Sequence, residues 1–169
     1  MSLYLNVPKK TIGRIPLVPL PLSFGDAGRT RDHSCTACSK ELLDTYLDLP
    51  QVDRNRIYVV GLSMGGMATY DLAVRFPDTF AAAVPICGTV NPVRLADAAN
   101  VRFRIFHGDA DNVVPVEGSR EAYRALKNLG AEWNILSFPV AIMEAGIRLS
   151  IIPDLWIGCS NKRRNVEPI

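Results

Sequence analysis

Apolar residues change period along the chain, and each change marks an element. Leu42, Leu43, Tyr46, Leu47 and Leu49 recur at helical spacing and Pro50 closes the run, which predicts an amphipathic helix over about Ser39 to Leu49. Ile57-Tyr58-Val59-Val60 is a continuous β-branched and aromatic stretch, the pattern of a strand buried on both faces. Met67, Tyr70, Leu72, Ala73 and Phe76 return to helical spacing until Pro77 stops them. Ala81 to Cys87 and Val101 to Phe106 then read as buried strands, Val116 to Leu129 as a helix ended by Gly130, and Trp133 to Phe138 as a fourth strand.

Strands and helices alternating at this interval predict a parallel α/β fold, because parallel strands need a crossover connection between them. The N-terminal part is less regular. Leu3 to Val7 is a short apolar stretch, whereas Pro16, Pro19 and Pro21 interrupt Ile15 to Leu22 and restrict it to an edge strand or an extended loop. Gly25 to Ser39 is polar, lacks periodicity and is expected to be loop. There is no internal repeat and no low-complexity segment.

Chemistry concentrates at two junctions. The strand Ile57 to Val60 runs through Gly61-Leu62-Ser63-Met64-Gly65-Gly66 straight into a helix. A Gly-x-Ser-x-Gly match is common, but between a strand and a helix it describes a nucleophile elbow. There Gly61 and Gly65 let strand and helix approach, and the Met64 amide at the helix start is placed to stabilise an oxyanion. The second junction is His107-Gly108-Asp109-Ala110-Asp111-Asn112-Val113-Val114-Pro115, a polar loop after the strand ending at Phe106. Catalytic groups of open parallel sheets collect beyond the carboxyl ends of strands, so this loop is expected to face the one bearing Ser63.

Composition narrows the function class. With 169 residues, 48% hydrophobic and 21% charged, the chain suits a single globular domain over 1–169 with its core at about 39–139. A formal net charge of +2 gives no strong field for nucleic acid or an anionic membrane. No apolar run is long enough to span a bilayer, and the N-terminus lacks the features of a signal peptide. As written the chain is expected to be cytoplasmic, and a fragment lacking its leader would be a secreted one. Cys35-Thr36-Ala37-Cys38, preceded by His33, reads as half of a zinc site or as a redox pair; no further ligands follow at a spacing suitable for zinc, so no metal or other cofactor is expected.

Several separated motifs together resemble a known group. Asp53-Arg54-Asn55-Arg56-Ile57-Tyr58, Gly61-Leu62-Ser63-Met64-Gly65-Gly66, Phe76-Pro77-Asp78, Val84-Pro85-Ile86-Cys87-Gly88 and Phe106-His107-Gly108 with Asp111 and Val114-Pro115 are similar to the esterase branch of the α/β-hydrolases. The resemblance covers roughly Leu42 to Pro139 and implies a three-layer α/β sandwich with a mostly parallel sheet, shortened relative to the full fold. It implies Ser63 as nucleophile of a carboxylic-ester hydrolase acting on a small-molecule ester, Asp111 as triad acid and Met64 as an oxyanion-hole amide. Asp109 is the competing acid, and His107 belongs to the structural start of its loop. Exposed strand edges in a shortened sheet would be a motive for a homodimer.

The sequence also departs from that pattern. The triad order of this fold is Ser, Asp, His, yet the only histidines are His33 and His107, neither after Asp111. His33 would reach the serine only through the N-terminal loop. The early His-Gly loop that supplies the second oxyanion amide is also missing. Beyond Phe138-Pro139, where the family has its histidine, stands Ile142-Met143-Glu144-Ala145-Gly146. Methionine is encoded by ATG alone; if the Ile142 codon is ATC, reading one base earlier permits His-Gly-Ser-Trp. Segment 140–169 is therefore expected to be a frame-shifted ending. Two further readings stay open: a hydrolase-fold protein without turnover, and a small-molecule binding module that uses the elbow pocket.

Overall fold

The computed structural model describes residues 2–5, 14–15, 35–50, 52–130 and 133–138. One sheet is built from β1 (Ser2–Leu5), β2 (Arg14–Ile15), β3 (Ile57–Leu62), β4 (Ala82–Ile86), β5 (Arg102–Gly108) and β6 (Trp133–Phe138), in the order β2-β1-β3-β4-β5-β6. Strands β3 to β6 run parallel, while β1 is antiparallel to both β2 and β3. The sheet is thus mostly parallel, as the alternating pattern predicts. Arg14–Ile15 pairs only with β1 and forms the edge, the place that the following prolines allow.

Helices α1 (Cys35–Leu47), α2 (Met64–Arg75) and α3 (Glu117–Asn128), with a 3-10 helix at Pro92–Ala98, make up the helical part of the described residues. From β3 to β6 each strand is added on the same side of its predecessor. Right-handed crossovers then put α2, the 3-10 helix and α3 on a single face of the sheet.

Side-chain alternation confirms the two faces. Ile57 and Val59 of β3, Ala83 of β4 and Phe103 and Ile105 of β5 pack with Leu43, Leu72, Leu95, Ala122 and Leu126 from the helices. Their neighbours Tyr58, Ala82, Val84, Ile86 and Phe106 point the other way and form a second buried cluster. Fully burying a leucine or isoleucine side chain contributes about 1.5–3 kcal/mol, and Leu43, Leu72, Leu95, Leu126, Ile57 and Ile105 are all buried on the helical face. The Tyr70 and Phe103 rings stack within it at 5.8 Å between centroids.

Two elements differ from the sequence expectation. Helix α1 begins at Cys35 rather than Ser39, so the end of the expected Gly25 to Ser39 loop is helical. Thr36 and Ser39 are buried and extend the stripe of Leu43 toward the N-terminus. Because they are polar, hydrophobic periodicity does not register them. The 3-10 helix was not anticipated either. Its local signal is Asn91-Pro92: the Asn91 side chain accepts a hydrogen bond from the Val93 amide at 3.1 Å, with proline in the first helical turn.

Candidate active site

Ser63 sits between the last residue of β3 and the first of α2 with φ 55° and ψ −119°. A residue with a Cβ adopts this conformation only where its surroundings force it, at a cost of order 1–3 kcal/mol. The surroundings here are identifiable. The Ser63 amide donates to the Ile86 carbonyl at 2.8 Å, tying the bend to the end of β4, and the Ser63 carbonyl accepts from the Met67 amide at 3.0 Å as α2 begins. A Cβ at Gly61 would lie 2.0 Å from the Gly65 carbonyl oxygen, and one at Gly66 would lie 2.6 Å from that of Ile86. The strand therefore turns into the helix at a separation that only glycine backbone allows. Thr69 Oγ1 donates to the Gly65 carbonyl at 2.8 Å and braces the first turn.

Leu62 and Met64, on either side of the serine, are 40% and 48% exposed. They give the elbow an apolar rim at the surface. Met64 is the first residue of α2, so its amide is one of the helix-start donors without an intrahelical acceptor.

Asp111 lies three positions beyond the end of β5, at the same carboxyl end of the sheet as Ser63 because β3, β4 and β5 are parallel. One strand separates the two loops, a distance of about 10 Å between their strand axes. The Asp111 side chain is fully buried. Its Oδ1 accepts from the amides of Val113 and Val114, each at 2.9 Å. Its Oδ2 is buried and, among the described residues, meets no donor in hydrogen-bond geometry. Burial opposes ionisation of this carboxyl, but the Val114 and Val113 amides, with Cys87 and His107 nearby, outweigh it and hold the group below its ordinary value.

The other residues singled out from the sequence fall in different places. Asp109 is exposed and faces Arg120 at 3.4 Å, on the outside of the loop that buries Asp111. His107 is fully buried, with Nδ1 2.7 Å from Ser119 Oγ and Nε2 2.8 Å from the Val114 carbonyl oxygen. Both ring nitrogens are thus occupied, and neither is free to take a proton from Ser63. His33 and the Ile142-to-Gly146 segment lie outside the described residues.

Cys87, at the end of the apolar run Ala81 to Cys87, is buried and has a position of its own. It directly follows β4, between the two loops, with φ 50°, and its amide donates to the Phe106 carbonyl at 2.8 Å. Burial pushes its thiol up to about 11. Cys87, His107 and Asp111 offer potential metal-ligand atoms within 4.8 Å of one another. A metal would have to displace the His107 bond to Val114, so the donor set does not fit one in this arrangement. Ser119 escaped the sequence reading because a lone serine within an amphipathic helix carries no signal until its neighbours are known.

Comparison with known proteins agrees with this geometry. The family model described as "Dienelactone hydrolase family" matches residues 25–142. A solved thermostable esterase is 31% identical and superposes with a TM-score of 0.67 over 76% of this chain and 36% of that one. The acylaminoacyl peptidase of Pyrococcus horikoshii, 20% identical, has the same fold at a TM-score of 0.64 over 79% of this chain and 28% of that one. NocK of Nocardia uniformis subsp. tsuyamanensis, whose name alone places it among the esterases, is 27% identical over 96 residues, 56% of this chain. The chain spans only 28% of that relative's length. Its sheet, its bend at Ser63 and the extent of the match make one conclusion: the chain belongs to the dienelactone hydrolase family, with a shortened α/β-hydrolase fold.

Proposed function

We propose that this protein is a serine hydrolase that cleaves carboxylic esters through an acyl-enzyme on Ser63. The observation that supports it most directly is the strained φ of 55° at Ser63, maintained at the end of a central parallel strand. Strain of this kind has a use where a side chain must be presented at the mouth of a site.

In this reading Ser63 Oγ bonds to the acyl carbon while its proton passes to a general base. The carbonyl oxygen, now an oxyanion, accepts a hydrogen bond from the Met64 amide. The carbon–oxygen bond to the alcohol then breaks as the alcohol takes the proton, and water releases the acid by the same steps. Asp111 is the carboxylate that orients the base. His107 is not that base in this reading, since both its nitrogens are engaged.

A second reading is supported by a specific observation: no histidine follows Asp111 in the sequence. Here the fold is retained and Ser63 is not activated. A fluorophosphonate probe separates the two. Labelling that disappears in Ser63→Ala supports the hydrolase. Absence of labelling together with absence of p-nitrophenyl acetate turnover supports the inactive protein.

A further inference from the structure

We propose that His107 is a positioning residue for Asp111, acting through Val114 from inside the core. The inference rests on the hydrolase reading only for its consequence in catalysis; the relay itself stands on geometry.

A backbone carbonyl can only accept, so the 2.8 Å contact between Nε2 and the Val114 oxygen fixes the proton on Nε2. In that tautomer Nδ1 carries no proton, and it lies 2.7 Å from Ser119 Oγ. On its far side the Val114 amide donates to Asp111 Oδ1 at 2.9 Å. Helix α3 is thereby linked to the Asp111 carboxylate through Ser119, His107 and Val114 in series. The Ser119 oxygen also lies 3.2 Å from the Gly88 carbonyl, which places this anchor against the end of β4. Nothing else in the turn Asn112 to Pro115 is so deeply held: Val113 is largely exposed, and the His107 ring is the buried group against which the Val114 peptide rests.

The Val114 carbonyl, in the peptide link to Pro115, faces the imidazole, and the Val114 amide, in the preceding peptide link, faces the carboxylate, so the two contacts meet at one residue. A rotation of that turn would release both. The imidazole therefore sets the direction from which Asp111 is held, and with it the direction in which the unpartnered Oδ2 points. His107 Nε2 lies 3.9 Å from that Oδ2, too far to satisfy it. The second oxygen stays available to whatever base the reaction uses.

The test uses the intact chain. In the unaltered protein, nitrogen NMR of His107 should show the proton on Nε2, with a coupling across the hydrogen bond to the Val114 carbonyl carbon. A proton on Nδ1 instead would overturn the proposal without any variant being made. In His107→Leu and Ser119→Ala, carbon NMR of the Asp111 carboxyl should show its titration midpoint moved to a roughly tenfold lower proton concentration in the leucine variant, and by less in the alanine variant. His107→Gln, which can still donate to Val114, should restore most of the original midpoint. A folded His107→Leu with an unmoved Asp111 midpoint overturns the proposal; if that variant does not fold, an unmoved midpoint in Ser119→Ala does so. Fluorophosphonate labelling of the unaltered chain is read alongside. A moved Asp111 with no labelling anywhere would leave the relay intact and remove only the hydrolase reading.

Discussion

Gly61 and Gly65 approach so closely that a single added methyl cannot be accommodated: a Cβ on Gly61 would sit 2.0 Å from the Gly65 carbonyl oxygen, which is backbone and cannot swing aside. Gly61→Ala is therefore expected to destabilise the protein by roughly 3 kcal/mol or fail to fold. Gly130→Ala is the control. That glycine has φ 69° but nothing within 4 Å of a Cβ, so only the conformational cost of about 1 kcal/mol applies. Urea midpoints of the two variants should differ in that order.

Ser63 has the opposite sign. Its φ of 55° is unfavourable for any residue with a Cβ and free for glycine. Ser63→Gly should raise the thermal midpoint, with a gain of about 1 kcal/mol, and abolish labelling by a fluorophosphonate probe. A neutral or destabilising outcome would show that the bend is relaxed and that the serine is not presented at a cost.

Much of this was legible beforehand for physical reasons that differ by element. Strand β3 declares itself because Ile57 to Val60 are apolar on both faces, and the elbow because glycine at 61 and 65 has few other uses between a strand and a helix. The resemblance already favours Asp111 over Asp109, but how each is held was not legible: both are aspartates in one loop, and the structure turns one toward Arg120 and the other toward two amides. The relay through Ser119 and the first turn of α1, with Thr36 and Ser39 buried, were hidden for a common reason. Each depends on small polar residues buried at helical spacing, which composition and periodicity score as surface.

Asp111 should leave a mark on acid stability. Its carboxyl titrates below the ordinary value in the folded chain, against burial, because of the amides that hold it. Its stabilising contribution is thus complete above about pH 4, where the unfolded aspartate is already ionised. It is lost as pH falls further through the lower folded titration. Urea midpoints between pH 2.5 and pH 7 should fall less steeply at the acid end in Asp111→Asn than in the unaltered chain.

Cys87 predicts the alkaline limb. Burial raises its thiol to about 11, so the folded state disfavours the thiolate. The corresponding stability is fully present below about pH 8.5, the unfolded thiol's value, and is lost as pH rises through the folded one. Tyr70, also raised by burial with the Ser119 hydroxyl opposing, adds loss at still higher pH. Cys87→Ala should flatten the first part of that decline. In the native protein at pH 7.5 iodoacetamide should leave Cys87 unmodified, and modification should follow unfolding. Rapid native alkylation would contradict a buried, protonated thiol.

The segment beyond Pro139 supplies the sharpest test of why Asp111 Oδ2 meets no donor among the described residues. The family match ends at residue 142, the position whose codon decides whether a one-base shift yields His-Gly-Ser-Trp. An imidazole placed there would follow the triad order, and its ring N–H would be the donor that the buried oxygen of Asp111 lacks among the described residues. Replacing the chain after Pro139 with the shifted reading should therefore raise p-nitrophenyl acetate turnover by at least 10²-fold, since a positioned base contributes 10²–10⁴-fold. The gain should vanish in Ser63→Ala and shrink in Asp111→Asn. An Ile142 codon that does not end in C removes the frame-shift explanation. A folded replacement with no gain would mean that the elbow and the Asp111 turn are not aligned for the same imidazole.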